Sequence, residues 1–186
     1  MAINTKWIIA NALLDLCSEK SLEKISVSDI IKKAGTGRQT FYNHFRDKND
    51  LIYWIFKRTI TRERQLVENE GFFAYLTHVY SEARKYSAFL EQACRYAGQN
   101  SLSESIYLQT YNYYKLFILA HYGSAVFDEK LEYALRFNAE GACGRYVHWV
   151  KEGMEGDPET QAKFALHCIP YAIKQYLPLT KEELEY

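Results

Sequence analysis

Proline, glycine and long apolar runs are all scarce in this chain of 186 residues. Three prolines and nine glycines leave long stretches free of helix breakers, and apolar residues recur at helical spacing between them. No apolar run reaches the length of about 18 residues that a membrane-spanning helix needs, and the N-terminus lacks the apolar segment of a signal peptide. The sequence therefore predicts an all-α fold, and we expect a cytoplasmic protein with no membrane partner.

Cysteine is also sparse. The four residues, Cys17, Cys94, Cys143 and Cys168, are widely scattered and form no CxxC pair. This spacing indicates reduced thiols that serve as small buried apolar side chains, not a disulfide framework or a zinc site. The chain also lacks the GxSxG, P-loop and HExxH motifs of common enzymes. We therefore predict no catalytic residue, no metal ligand and no cofactor.

Residues 25–51 carry the most informative pattern in the chain, which begins with a capped helix. Ser26 or Ser28 can cap this helix, and Asp29 lies in its first turn, where the helix dipole favours a negative charge. The stretch Gly35–Gly37 then interrupts the helix, because glycine adopts positive φ without strain. The pattern predicts a short helix followed by a tight glycine turn.

A second helix follows over about residues 38–45, and its two faces differ in chemistry. Phe41 and Phe45 stand four residues apart, so both rings point into a core. At about 100° per residue, the opposite face carries hydroxyl and amide side chains, namely Gln39, Thr40, Tyr42 and Asn43. Two helices joined by a glycine turn, the second with an exposed polar face beside Arg38, form a helix-turn-helix and indicate DNA binding.

This ordered motif resembles the DNA-binding domain of TetR/AcrR-family transcriptional regulators. The family signature begins with an amphipathic helix that ends in Ala-Gly, followed by a turn. The motif Thr-[Phe/Leu/Ile]-Tyr-x-His-Phe comes next, and a Lys and a Leu follow it. The chain matches it at Ala34-Gly35, Thr40-Phe41-Tyr42-Asn43-His44-Phe45, Lys48 and Leu51. It departs at Thr36-Gly37, where many members have a hydrophobic residue followed by Ser or Thr. Because glycine is a weaker helix cap than serine, Thr36 is an alternative cap.

The resemblance implies DNA contacts for the matching side chains. Those expected to read base edges in the major groove are Arg38, Gln39 and Asn43, since Arg favours guanine and an amide favours adenine. Those expected to contact phosphates are Thr40, Tyr42, His44 and Lys48. Ser28, at the start of the first helix, adds a hydroxyl and a backbone N–H for a phosphate. For His44, a local packing or capping role is the alternative.

The N-terminal third of the chain is basic, and the remainder is acidic. Residues 1–64 carry 12 Lys and Arg against 7 Asp and Glu, whereas the rest of the chain carries 11 against 16. This division is typical of a nucleic-acid-binding unit joined to a unit with another task. We predict a head over residues 1–46, a connecting helix over residues 47–70 that Asp47 caps, and a body over residues 71–186.

Breaks at glycine and proline divide the body into five further helices. With an N-terminal helix over about residues 5–19, the two helices of the motif and the connecting helix, this gives about nine in all. The expected ranges of the five body helices are 72–85, 87–97, 102–121, 128–153 and 158–177, as in the TetR-like plan. In that family the central helix lines an effector cavity, so the resemblance implies a small-molecule effector. The candidate lining residues are the stripe Tyr107, Tyr111 and Tyr114, followed by Phe89, Cys94 and Tyr146. An ordinary packed core is the alternative for the stripe.

The last two long helices, 128–153 and 158–177, are the expected homodimer interface. Small residues cluster over 139–144, which permits two backbones to approach closely, with a kink or an intramolecular crossing as the alternative. Pro170 should bend the second helix. In TetR-like proteins these helices pair with their copies as a four-helix bundle. Residues 137–153 also resemble a subgroup that includes regulators of dihydroxyacetone-kinase operons.

These features predict a ligand-responsive transcriptional regulator of the TetR type that binds a palindromic double-stranded DNA operator as a homodimer. Half-sites about one helical turn or more apart follow from the two-fold symmetry. An effector in the body would shift the connecting helix and change the distance between the two heads. Two alternatives stay open: a helical sensor or adaptor that acts mainly through a protein partner, and a metal-responsive regulator.

Overall fold

The head consists of short helices that follow the predicted order. The computed structural model describes residues 4–59, 71–96 and 101–184, and every regular element in these ranges is helical. The first helices are α1 (Thr5–Glu19), α2 (Val27–Ala34), α3 (Arg38–His44) and α4 (Lys48–Thr59), with a 3-10 turn at Leu22–Lys24. The prediction of an all-α fold with an N-terminal helix-turn-helix is confirmed.

The helix α4 forms the start of the predicted connecting helix. Asp47 caps it, since its Oδ1 accepts a hydrogen bond from the backbone N–H of Asp50 at 2.8 Å. Its apolar face is buried as predicted, through Leu51, Ile52, Ile55 and Phe56. The remainder of the predicted connecting helix and its boundary with the body, at residues 60–70, lie outside the described residues, as does the predicted break at 98–100.

The body is built from two long helices that pack together and several shorter helices. Its helices are α5 (Phe72–Lys85), α6 (Ser87–Arg95), α7 (Leu102–Tyr122), α8 (Glu129–Lys151), α9 (Pro158–His167), α10 (Tyr171–Lys174) and α11 (Lys181–Leu184). Aspartate caps begin two of them: Asp128 accepts from the Leu131 N–H at 2.7 Å, and Asp157 precedes Pro158 at the first helical position. These local signals explain why the body helices start where the sequence predicted.

The predicted range of one body helix is wrong. The expected helix over 158–177 ends at His167, and a separate short helix, α10, begins after Pro170. Proline has no backbone N–H and its ring clashes with the preceding turn, so Pro170 terminates the helix where a bend was expected. The second element of the predicted dimer interface is therefore a short helix followed by a turn and a further helical turn.

The core joins head and body. In the body, α7 packs along α8 and α5 packs along α9, while α6 contacts both α8 and the head helix α1. Gln92 on α6 links the two parts directly. Its Oε1 accepts a hydrogen bond from the Leu22 N–H at 2.6 Å, and its Nε2 donates to the Cys17 carbonyl at 2.7 Å. The position of α6 is therefore coupled to the end of α1 in the head.

The four cysteines are free thiols, as predicted. Three of them, Cys17, Cys94 and Cys143, are buried, but Cys168 is exposed. The expectation that each serves as a buried apolar residue is therefore wrong for Cys168, which lies just beyond the end of α9.

Candidate DNA-binding surface and ligand cavity

Local features define both ends of α2 and the start of α3. The Ser26 Oγ accepts from the Asp29 N–H at 3.1 Å, and the Asp29 carboxylate accepts from the Ser26 N–H at 2.8 Å, which lowers the pKa of Asp29 to about 2. Gly35 ends α2 with a φ of 62°, a conformation that favours glycine. Gly37 precedes α3 as its cap, while the Thr36 Oγ1 is buried with no hydrogen-bond partner. The alternative cap at Thr36 is therefore wrong.

The helix α3 turns one face into the head and the other to solvent. Phe41 and Phe45 are buried, and their ring centroids lie 5.9 Å apart. On the opposite face the exposed Gln39 donates from its Nε2 to the Oδ1 of the exposed Asn43 at 3.1 Å. This bond holds the two amides side by side and leaves the Gln39 oxygen and the Asn43 nitrogen for a partner. The pair has the donor and acceptor chemistry that recognises base edges.

The other predicted DNA contacts differ in exposure. Tyr42 is 44 % exposed, and the Arg38 guanidinium carbon lies 5.6 Å from its ring centroid, a cation–π distance. Ser28 is exposed in the first turn of α2, whereas Thr40 and His44 are half-buried on α3. The structure thus gathers these side chains around one helix-turn-helix, with Arg38 next to the amide pair.

Lys48 is the exception among the predicted phosphate contacts. Its ammonium donates to the carbonyl oxygens of Leu22 at 2.9 Å and Ile25 at 2.8 Å, and it lies 4.5 Å from the Tyr96 ring centroid. These contacts tie the start of α4 to the 3-10 turn and to the end of α6. We therefore do not include Lys48 in the proposed DNA-binding surface, because two backbone carbonyls already bind its ammonium.

Replacing Lys48 with methionine is expected to lower the free energy of unfolding by about 2 kcal/mol, because two carbonyls lose a charged donor. The matched control is Lys32→Met, which makes the same change at an exposed lysine of α2 and should cost less than about 0.5 kcal/mol. Urea unfolding of the full chain measures both. A Lys48→Met protein that keeps its stability but loses affinity for every DNA sequence would restore the phosphate role.

A cavity of about 110 Å³ lies within the body and reaches α4. Aromatic side chains form much of its wall: Phe56, Phe72, Tyr75, Tyr113 and Tyr114. Tyr75 and Tyr113 stack with their ring centroids 5.6 Å apart and their planes 8° from parallel. Phe56 belongs to α4, the helix that follows the helix-turn-helix, so a molecule in this cavity would contact the head's own connecting helix.

Three polar groups at the cavity make no hydrogen bond of normal geometry within the protein. These are the Gln109 Oε1, the Asn138 Nδ2 and the Tyr146 hydroxyl. Burial raises the pKa of the Tyr114 hydroxyl, and an interaction with the Asn138 side chain opposes this rise. Asn138 is only 7 % exposed and Tyr146 only 6 % exposed. A buried polar atom without a partner destabilises the folded state, so such atoms are uncommon in native structures and call for an explanation. Three at one cavity provide an acceptor, a donor and a hydroxyl for a bound molecule.

No charged side chain lines the cavity among the residues that the structure describes there. Burial raises the pKa of Tyr75 and of Tyr80 to about 12, and that of the Cys143 thiol to about 11. Burial likewise raises the pKa of the Tyr114 and Tyr146 hydroxyls above their ordinary range. These groups are therefore neutral at physiological pH, and the cavity offers polarity without charge.

Two of the six predicted ligand residues, Tyr114 and Tyr146, line the cavity, but Tyr107 and Tyr111 do not. The Tyr111 hydroxyl donates to the Glu132 Oε1 at 2.6 Å and accepts from the Lys115 Nζ at 2.7 Å. The Tyr111 hydroxyl thus has its hydrogen-bond partners in the ion pair of Lys115 on α7 and Glu132 on α8, outside the cavity. The ring of Tyr107 stacks on that of Tyr111, with centroids 6.4 Å apart, so it lies on the same side of α7 as Tyr111.

Phe89 and Cys94 also lie away from the cavity. Both are buried on α6, in the core that α6 shares with the head and with α8. Burial raises the pKa of the Cys94 thiol to about 12, which is typical of an unreactive structural cysteine. The cavity residues that the sequence did not indicate are chiefly the buried amides Gln109 and Asn138, because nothing in their spacing separates them from solvated amides.

The outer side of α8 exposes aromatic rings and glycines. Tyr133 is 72 % exposed and Phe137 is 62 % exposed, and a β-carbon at Gly141 or Gly144 would meet no neighbouring atom within 4 Å. The glycines therefore do not serve an intramolecular helix crossing, and that alternative is wrong. The segments that follow expose two more aromatic residues, Phe164 and Tyr171. Exposed apolar rings in such number are typical of an interaction surface.

Within residues 4–59, 71–96 and 101–184, no group of three or more His, Cys, Asp or Glu side chains is arranged to hold a metal ion. In the same part of the chain, no helix combines the length and the apolar character needed to cross a membrane.

Comparison with protein families gives two matches. The family described as bacterial regulatory proteins, tetR family, matches residues 9–53, which include the helix-turn-helix. The family described as transcriptional regulator C-terminal region matches residues 70–170, more than half of the chain.

Curated relatives are similar over shorter stretches. The chain is 46 % identical over 56 residues to the HTH-type dhaKLM operon transcriptional activator DhaS of Lactococcus lactis, covering 30 % of each chain. It is 49 % identical over 53 residues to the uncharacterized HTH-type transcriptional regulator YvdT of Bacillus subtilis, covering 28 % of this chain and 27 % of that one. It is 34 % identical over 122 residues to the HTH-type transcriptional regulator SAR2658 of Staphylococcus aureus, covering 59 % of this chain and 63 % of the relative. In each case the match spans less than two thirds of the relative's length.

One solved structure has the same fold along nearly the whole chain. The dihydroxyacetone kinase operon activator DhaS superposes with a TM-score of 0.66 and covers 95 % of this chain and 99 % of its own. The sequence identity is 22 %, so this likeness establishes the arrangement of helices alone.

Proposed function

The chain belongs to the TetR family of bacterial transcriptional regulators, and from this we propose that it acts as a homodimer whose two α3 helices read a two-fold-symmetric operator. We further propose that a small molecule in the body cavity changes the operator affinity, and that the protein acts in the cytoplasm.

The outer face of α3 supports operator reading most directly. Gln39 and Asn43 are exposed and hydrogen-bonded to each other, and the buried Phe41 and Phe45 fix the helix beneath them. A helix held this way presents its amides in one orientation, which reduces the entropy lost on binding a base pair. Arg38, at the N-terminus of α3, adds a guanidinium suited to guanine.

Phosphate contacts would position α3 in the groove. Ser28 and Tyr42 are exposed beside it and carry hydroxyl donors, and the half-buried Thr40 and His44 flank them. Ser28 lies in the first turn of α2, where free backbone N–H groups and the helix dipole favour an anion. These contacts give affinity and register, whereas the amide pair gives sequence preference.

The outer side of α8 supports the dimer. Gly141 and Gly144 leave room that no part of the same chain occupies, and Tyr133 and Phe137 expose large rings on the same helix. Two copies of α8 that pack across a two-fold axis would bury these rings and use the glycines for close backbone approach. The segment after α8, with the exposed Phe164, would complete the contact.

The route from cavity to head supports the regulatory role. Phe56 lines the cavity from α4, so a bound molecule contacts the helix that directly follows the helix-turn-helix. Gln92 adds a second link, since it forms one backbone hydrogen bond with Cys17 near the end of α1 and another with Leu22 in the 3-10 turn. A ligand alters DNA affinity through these links only if it binds the two arrangements of head and body unequally.

Salt dependence tests the DNA-binding proposal. If a dimer neutralises roughly eight phosphates, the logarithm of the association constant should fall with the logarithm of salt concentration at a slope of about −7. Fluorescence anisotropy with the full chain and duplex DNA measures this slope. Arg38→Ala should flatten the slope, because it removes a cation from the surface, whereas Lys48→Met should leave the slope unchanged. Association that does not respond to salt would contradict operator binding through α3.

A further inference from the structure

Several polar atoms at the cavity lack good hydrogen-bond partners, and they would destabilise the folded protein if the cavity stayed empty. The Gln109 Oε1 and the Tyr146 hydroxyl lack a protein partner. The Asn138 Nδ2 makes no hydrogen bond of normal geometry and interacts with the Tyr114 hydroxyl. Asn138 and Tyr146 are more than nine-tenths buried. From these groups we infer that the cavity binds a small neutral molecule that carries both a hydrogen-bond acceptor and a hydrogen-bond donor. The inference rests on the proposed function of the cavity and adds the chemical class of its ligand.

Each unpaired atom specifies one feature of the ligand. The Asn138 Nδ2 carries two N–H groups and can only donate, so the one that is not directed to the Tyr114 hydroxyl requires an acceptor such as a carbonyl or hydroxyl oxygen. The Gln109 Oε1 can only accept, so it requires an O–H or N–H group. The Tyr146 hydroxyl can satisfy either. A ligand with only one kind of group would leave a buried protein atom unpaired, and a site of this type rejects such analogues.

The volume limits the ligand to a few atoms. An apolar cavity of about 150 Å³ binds benzene, so the smaller volume of about 110 Å³ limits an enclosed ligand to about six non-hydrogen atoms at most. The stacked rings of Tyr75 and Tyr113 favour a flat molecule, because a flat molecule contacts an aromatic wall over its whole face.

The lining also selects against charge. No acidic or basic side chain lines the cavity in the described part of the chain, so a charged ligand would lose its hydration without gaining an ion pair. This feature separates the proposed class from carboxylates, phosphates and amines of the same size.

Three matched probes test the class with the full chain. 2-Pyrrolidinone is neutral and carries a carbonyl and an N–H, cyclopentanone has the carbonyl without the donor, and pyrrolidinium is charged. Calorimetric titration should give an affinity for 2-pyrrolidinone at least about 10-fold higher than for cyclopentanone, and no binding of pyrrolidinium. Equal affinity for the first two probes would overturn the proposal, as would preferred binding of pyrrolidinium.

Two isosteric tyrosine variants locate the site. Tyr146→Phe removes a hydroxyl that has no partner in the protein, so the variant should fold at least as well as the parent and yet bind 2-pyrrolidinone about 10-fold more weakly. Tyr111→Phe removes a hydroxyl outside the cavity and should leave the binding unchanged. An equal loss in both variants, or no loss in Tyr146→Phe, would contradict the assignment.

The proposed ligand class and the proposed regulatory role can be tested separately, because either can be wrong while the other holds. If 2-pyrrolidinone binds with the expected selectivity but leaves the DNA affinity of the dimer unchanged, the chemical class stands and the proposed coupling to the head is wrong. If a charged or purely apolar molecule binds in the cavity and changes the DNA affinity, the coupling stands and the class is wrong.

Discussion

The Gly144→Arg variant is expected to be a folded monomer whose operator affinity is at least about 100-fold lower than that of the parent chain. A monomer engages one half-site and loses the effective concentration that links the second head, a contribution of roughly 10²–10⁴. The long charged side chain would occupy the space that Gly144 leaves for a second copy of α8. Sedimentation equilibrium and anisotropy titration on the same operator measure the two effects.

The monomer itself should tolerate the change. A β-carbon at position 144 would meet no atom within 4 Å, and arginine has a higher helix propensity than glycine by roughly 0.8 kcal/mol. Gly144→Ala is the matched control, because it improves helix propensity without a long side chain and should keep the dimer. If Gly144→Arg stays dimeric, the interface lies elsewhere.

The double variant Gln39→Ala, Asn43→Ala is expected to lose most of its preference for the operator over unrelated DNA. Each lost bidentate contact to a base costs about 1–3 kcal/mol, and the two-fold symmetry removes the contact in both half-sites. Thermal stability should hardly change, since both side chains are exposed. Competition titration with specific and scrambled duplexes measures the preference.

The losses of operator preference in the two single variants, Gln39→Ala and Asn43→Ala, should not sum to the loss in the double variant. Asn43→Ala also frees the Gln39 side chain, which donates to Asn43 at 3.1 Å, so the losses should be coupled. Gln175→Ala, at an exposed amide in the body, should leave the preference unchanged. If the α3 variants unfold, or keep full preference, the outer face of α3 does not read the operator.

The sequence predicted the head well because its signals are local. The Ser26 cap, the Gly35 turn and the pair Phe41 and Phe45 each act within a few residues along the chain, and the structure has all of them in place. Asp47 likewise caps α4 as expected. Such features depend on backbone conformation and helical spacing, which the sequence specifies directly.

Where the structure departs from the expected roles of Lys48 and Tyr111, the cause is a residue far away in the sequence. Lys48 matched a phosphate-contacting position, but carbonyls more than twenty residues away hold its ammonium. Tyr111 and Tyr114 belong to one stripe of α7, yet only Tyr114 faces the cavity, because Glu132 on α8 binds the phenol of Tyr111. The burial of Asn138 depends on how α7 and α8 pack, and helical spacing alone does not determine it.

Selection of bound duplexes from a random DNA pool by the full chain tests the central claim most directly. We expect enrichment of an inverted repeat whose half-site centres lie about one helical turn or more apart, because a two-fold dimer presents two α3 helices to one face of DNA. We also expect that Gln39→Ala, Asn43→Ala selects no such repeat, because its enrichment depends on the outer face of α3. A pool that stays random with the parent chain, or an enriched sequence that the α3 variant selects equally well, would contradict operator reading by α3.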